Sequence, residues 1–187
     1  MRGMHADADR VIAHTRAWVE RVVIGLNLCP FAKAVHVKGQ VRYVVSDAAD
    51  PDALLATLCD ELTALADAPA DKVDTTLLIH PRVLADFDDF NDFLDAADAA
   101  VRALRLDGVL QVASFHPHYR FAGTTEDDVT NATNRSPYPT LHLLREESIS
   151  RAVAAFPRPE AIYEENMRTL QALGAAGFAA LQAQCKR

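Results

Sequence analysis

A chain of 187 residues, half of them hydrophobic and 24% charged, is long enough for one ordinary core and too apolar to remain disordered. Its formal charge of −7 opposes binding to a phosphate backbone, because nonspecific affinity for nucleic acid comes from lysine and arginine neutralising phosphates. No apolar stretch approaches the ~20 residues that cross a bilayer, and the opening MRGMHADADR lacks an apolar signal region, so a cytoplasmic protein without a membrane partner is expected.

In chain order, Val11, Trp18, Val22 and Leu26, with Thr15 between them, recur in steps of three and four. That period predicts an amphipathic helix over residues 7–26, stopped by Gly25 and Asn27. A short helix is expected at 31–34, after Cys29 and Pro30, since a residue before proline avoids helical geometry. The β-rich QVRYVVS at 40–46 leads to Pro51 at a first helical position, and Leu54, Leu55, Leu58, Leu62 and Leu65 mark one side of the helix that follows, with Cys59 beside the stripe. DTTLLIH at 74–80 is a second strand. Phe87, Phe90, Leu94, Ala97, Val101 and Leu104 set out a third helix, whose Asp88, Asp92 and Asp95 read as its wet side.

After Gly108, VLQVAS at 109–114 is a third strand. The pattern then lapses over 115–139, too long for a simple connection. An edge-type fourth strand is expected at 140–144, a helix at 146–156, and a last helix after Pro159 interrupted at Gly174 and Gly177. Strands alternating with helices imply a single α/β domain with a three- to four-stranded, largely parallel sheet and flanking helices.

The lapse is where chemistry concentrates. FHPHYRFAGTTEDDVTNATNRSPYPTLHLLREE, residues 115–147, leaves the C-terminal end of the third strand, where open α/β sheets bind ligands. Its Phe115, Tyr119, Phe121 and prolines argue for order, with Phe115 and Phe121 packed inward beneath a crevice. With GLNLCPFA at 25–32, FHPHYRFAG at 115–123 and NATNRSPYPTLHLLREESI at 131–149, the chain resembles an uncharacterised, mainly bacterial family, the domain of unknown function 1415. The resemblance covers most of the chain and implies membership; it brings no reaction with it.

The residues must therefore supply the chemistry. Arg120, Arg135 and Arg145 suit a carboxylate or phosphate, because the guanidinium fork pairs bidentately with such anions, and at least two of them are expected to share one cavity. Asn131, Asn134, Ser136 and Tyr138 are the polar groups to orient the ligand. The bland alternative is that these side chains hydrogen-bond one another to hold a long loop. His116, at the strand end, is the first candidate acid/base, His142 the second and His118 the last. Cys29 is a candidate nucleophile against the commoner fate of a buried, inert thiol, and Cys59 and Cys185 carry no such case. Three cysteines without a CxxC pair give no disulfide framework.

Three readings follow. The first is an enzyme acting on a small anionic metabolite by transfer or hydrolysis. The second is a ligand-binding or regulatory module using the same pocket without chemistry. The third is a metal-dependent enzyme, for which His116, His142 and an Asp or Cys would serve zinc although no HxxxH or CxxC spacing supports it. No metal ligand is assigned, and the cofactor and the oligomeric state are not specified by the sequence.

Overall fold

The computed structural model describes residues 2–156 and 158–187, with side chains from Asp7 onward. The element order is α1 (Arg2–Trp18), a π-helical turn (Val19–Ile24), α2 (Ala32–Val37), β1 (Val41–Val45), α3 (Pro51–Asp67), β2 (Thr75–Ile79), α4 (Phe87–Ala103) and β3 (Leu110–Phe115). A 3-10 segment (Val129–Asn134), β4 (Thr140–Arg145), α5 (Glu146–Ala155) and α6 (Ala161–Cys185) complete the chain.

Local chemistry sets the helix ends. Asp50 accepts the Ala53 N–H at 2.8 Å ahead of Pro51 to start α3, and Asp86 accepts the Asp88 and Asp89 amides at 2.9 and 3.1 Å to start α4. Leu54, Leu58, Leu62 and Leu65 of α3 are fully buried, each contributing about 2 kcal/mol by removal from water. They pack with Phe90, Phe93, Ala97 and Val101 of α4 against Val44, Leu78, Leu141, Leu143 and Val112 on one face of the sheet. Asp88, Asp92 and Asp95 stay exposed on the outer side.

The opposite face, with Val41, Tyr43, Leu77 and Phe115, is covered by Trp18, Val19 and Val22, by Ala132, and by Leu170 and Phe178 of α6. Here α1 widens into π-type turns: the Gly25 amide reaches Glu20 O at 3.0 Å and the Leu28 amide reaches Val23 O at 2.9 Å. A Cβ on Gly25 would lie 2.2 Å from Arg21 O, which is why glycine stands there. Asn27, at φ 54°, ends the helix in the left-handed region. In α6 only Gly174, at φ 72°, leaves helical geometry; Gly177 remains helical.

The sheet is mixed, which corrects the expectation of a largely parallel one. Its order is β1-β2-β4-β3, with β1 parallel to β2 and β4 antiparallel to both β2 and β3. The reason lies in residues 116–139. They contain no crossover helix, so the chain leaves β3 at Phe115 and re-enters at its register partner Thr140, at the same end of the sheet. β4 is thereby central rather than an edge strand, and its buried Leu141 and Leu143 suit that place. No helix among the described residues is long and apolar enough to cross a membrane.

Candidate functional site

Residues 116–139 rise from the end where β1, β2 and β3 finish, and their polar side chains turn mainly on one another. His116 is fully buried. Its Nδ1 accepts the His118 backbone N–H at 3.0 Å, and because an amide can only donate, the ring proton must sit on Nε2, from which it is donated to Leu84 O at 3.1 Å. Burial lowers its pKa first, with His118 adding to the effect, while the Leu84 carbonyl, Asp86 and the Ala85 backbone oppose it. The ring packs against Phe90 and Phe87 at 5.0 and 5.5 Å. Such an imidazole braces the turn and has no nitrogen left for a substrate. Leu84, at φ 58°, is held by it in a backbone conformation that bulky residues avoid.

Beside it, His80 donates from Nδ1 to Val83 O at 3.0 Å and stacks on Phe90 at 5.6 Å. Its Nε2 is buried without a partner, and burial holds its pKa down to about 4. His142 lies on the α6 side of the sheet, near Phe115 at 5.9 Å. Thr75 donates its hydroxyl to Leu143 O at 2.6 Å, so His142 Nε2 donates to Thr75 Oγ1 at 2.7 Å, and burial again lowers its pKa to about 4.

The three arginines do not converge. Arg145 grips Leu65 O and Ala68 O at 2.7 Å each and Val73 O at 3.1 Å, closing the C-terminal end of α3. Arg135 donates to Tyr119 O at 3.2 Å and Glu126 O at 2.7 Å within the loop. Arg120 borders a cavity over the start of α4 and is paired with Asp88 at 3.1 Å. Asn131, fully buried, accepts from the Phe121 amide at 3.0 Å and Thr124 Oγ1 at 2.8 Å and donates to Thr125 O at 2.8 Å. Asn134 donates to Ser114 O at 3.1 Å, Ser136 to Tyr138 O at 2.6 Å, and Tyr138 meets His14 Nδ1 through its hydroxyl at 2.8 Å. Phe115 packs inward, edge-on to Trp18 at 5.1 Å, whereas Phe121 joins an outer row with Tyr119 and Tyr163 at 5.0 and 6.1 Å.

Two cavities adjoin this scaffold. The smaller, about 250 Å³, lies between the loop and the end of α6 and is lined by Trp18, Pro117, His118, Ser136, Pro137, Gln182, Cys185 and Lys186. The larger, about 500 Å³, lies over the start of α4, among Ala85, Asp86, Phe87, Asp88, His118, Arg120 and Glu126. His118 is exposed and borders both, and no hydrogen bond to its ring occurs among the described residues. Cys29 borders neither; burial pushes its thiol pKa up against the amides of Phe31 and Ala32, which lower it. The cysteine beside the loop is Cys185, whose thiol burial also raises, against the opposing pull of Arg21. Among the described residues no three His, Cys, Asp or Glu side chains gather as a metal set would require.

Sequence reasoning placed His118 last and did not reach Lys186, Gln182 or Trp18 as site residues. Trp18 offered one signal, a single tryptophan in the chain on a buried helical face with a polar nitrogen to satisfy. The others meet the loop only through the fold of α6. The architecture and these cavities define a mixed α/β protein with one four-stranded sheet, whose long β3–β4 connection is an ordered polar scaffold flanked by small clefts. The chain belongs to the family described as protein of unknown function (DUF1415), whose model matches residues 10–180. Neither a curated protein nor a solved structure matches it.

Proposed function

We propose that this chain binds a small anionic ligand, a carboxylate or a phosphate, in the cavity between Pro117, Pro137 and the end of α6. One observation carries the reading: in a protein of net charge −7, the residues lining that cavity include Lys186 and His118 and no carboxylate. Trp18 stands in its wall, with its own indole N–H buried away from solvent. At about 250 Å³ the space holds roughly eight water-sized groups, which limits the ligand to a short acid. The larger cleft, with three carboxylates against Arg120, suits an anion less well.

Binding without turnover is favoured over catalysis because His116 is buried and His142 half-buried, both already bonded, and burial raises the pKa of the Cys29 thiol. An enzymatic reading rests on His118 alone, the one loop histidine exposed beside the cavity. Trp18 is the only tryptophan, so its fluorescence reports on the site directly. Titration with propionate or inorganic phosphate at low salt should change that emission saturably, and Lys186→Gln should weaken binding about threefold to tenfold. No saturable response to either anion, with Lys186→Gln indistinguishable from the parent, would end this reading.

A further inference from the structure

We infer that the outer edge of β1 is a self-association surface, where a second copy of this chain adds its own β1 antiparallel about a two-fold axis at Tyr43. The inference does not depend on the anion reading and starts from the backbone. Gln40 O accepts from the Thr75 amide at 3.4 Å, and the Ser46 amide donates to Ile79 O at 2.8 Å. In the parallel register of β1 with β2, these bonds turn Arg42 and Val44 towards β2 and the N–H and C=O groups of Val41, Tyr43 and Val45 away from it. No hydrogen bond to those outward groups occurs among the described residues. The other edge of the sheet is closed by the chain itself. On β3 the Leu110 amide donates to Leu106 O at 2.9 Å, Ser114 O accepts from Asn134 Nδ2 at 3.1 Å, and the His116 amide donates to Asn134 O at 3.1 Å. β1 has no such cover and none of the devices that keep a free edge single: VRYVV contains no proline, glycine or lysine, and its register with β2 has no bulge.

The spacing of the outward groups selects the occupant. Bonded positions in an antiparallel pair alternate, and each bonded residue exchanges both its groups with the residue opposite. A two-fold axis at Tyr43 sets Tyr43 against itself and Val41 against the partner's Val45, so every outward N–H and C=O of both strands meets its complement. The side chains agree with this register. Val41 and Tyr43 lie on the α1 side of the sheet, where valine then meets valine and tyrosine meets tyrosine, both favourable cross-strand pairs. On the α3 side Arg42, the only charge in the strand, is bonded to Glu61 at 3.1 Å and stands opposite the partner's Val44, so like charges do not face each other. Arg16 lies over the Tyr43 ring at 4.7 Å, with Glu20 four residues further along the same helical stretch. Both flanks of the edge therefore carry one cation and one carboxylate, in a chain whose net charge of −7 otherwise opposes self-association.

Sedimentation equilibrium of the full chain, from micromolar to millimolar concentration, should show a reversible monomer–dimer equilibrium. Amide exchange should find Val41, Tyr43 and Val45 protected in the dimer and open on dilution, while Arg42 and Val44, bonded to β2, stay protected throughout. Val45→Pro removes an outward donor and no bond to β2, so the monomer should keep its urea midpoint. Dimerisation should weaken about a hundredfold, because each dimer loses that donor twice and takes two proline rings into the new ladder. Val41→Pro, at the first residue of the strand, makes the same test where Val45→Pro lowers the stability of the monomer. A chain that stays monomeric at millimolar concentration overturns the inference, whether its outer amides are open or covered by other contacts. So does a dimer in which those amides exchange freely, or one that both proline variants leave intact.

Discussion

Acidification should destabilise this protein through His80 before most carboxylates respond. The ring is fully buried, its Nδ1–H is bonded to Val83 O, and a second proton on Nε2 would meet no acceptor. With a folded-state pKa of about 4 against 6.5 in the unfolded chain, the unfolded state holds the extra proton throughout that interval. The contribution is complete above pH 6.5, declines as pH falls towards 4, and is constant below. A difference of about 2.5 pKa units corresponds to about 3 kcal/mol, a large share of ordinary domain stability. His80→Asn keeps a donor for Val83 O and does not titrate. Urea unfolding between pH 7.5 and 4 should therefore show the variant less stable than the parent at pH 7.5, from lost packing on Phe90, with the gap narrowing by about 3 kcal/mol towards pH 4. Carboxylates titrate in both proteins and cancel in the comparison. Stability curves that run parallel for parent and variant across this range would refute the argument.

Arg145→Met should cost about 2–4 kcal/mol in urea unfolding, because three carbonyls at the end of α3 lose a charged donor, while anion affinity stays unchanged. A weakened anion response with normal stability would instead return Arg145 to the binding site. Gly25→Ala, favourable in an ordinary helix, should lower the melting temperature by several degrees, since the new Cβ meets Arg21 O. An unchanged or raised midpoint would show that the π-type turn relaxes freely. Hydrogen exchange should find the amides of His116, Asn131 and Arg135 protected, each bonded to a loop carbonyl, and Asn131→Ala should release them together. Exchange of all three within seconds in the parent would mean that the loop is not the scaffold described.

The helices and strands were legible because their apolar periods are strong: Leu54, Leu58, Leu62 and Leu65 of α3 and Phe90, Ala97 and Val101 of α4 are buried as their spacing requires, although Phe93 joins them in place of the exposed Leu104. The direction of β4 was not, because alternation in TLHLL fixes the faces of a strand and says nothing about which way it runs. The absence of a helical period between Phe115 and Thr140 was the available clue to an antiparallel return. For the site, composition marked the right segment but could not separate side chains that bind the loop from those that face a cleft. Asn131, Arg135 and His116 have the residue types of a ligand pocket and here close turns. Lys186 and Trp18 are brought to Pro137 only by the packing of α1 and α6, a long-range arrangement that local pattern does not encode.

The position of β4 constrains the order in which the chain can assemble. β1, α3, β2 and α4 can form as soon as residue 103 is made, but β3 has no direct partner on β2; it reaches the sheet only through β4, whose last residue is Arg145. Until then the exposed edge of the half-sheet is TTLLI, which is wholly buried in the finished protein. An unpaired apolar edge of that kind recruits other chains. Ribosome-stalled or truncated products ending between β2 and β4 should therefore aggregate or require chaperone protection, and release of residues up to 145 should lessen that requirement by pairing the edge. The strand that gives the sheet its mixed character is also the clasp that closes it, and it arrives last among the four.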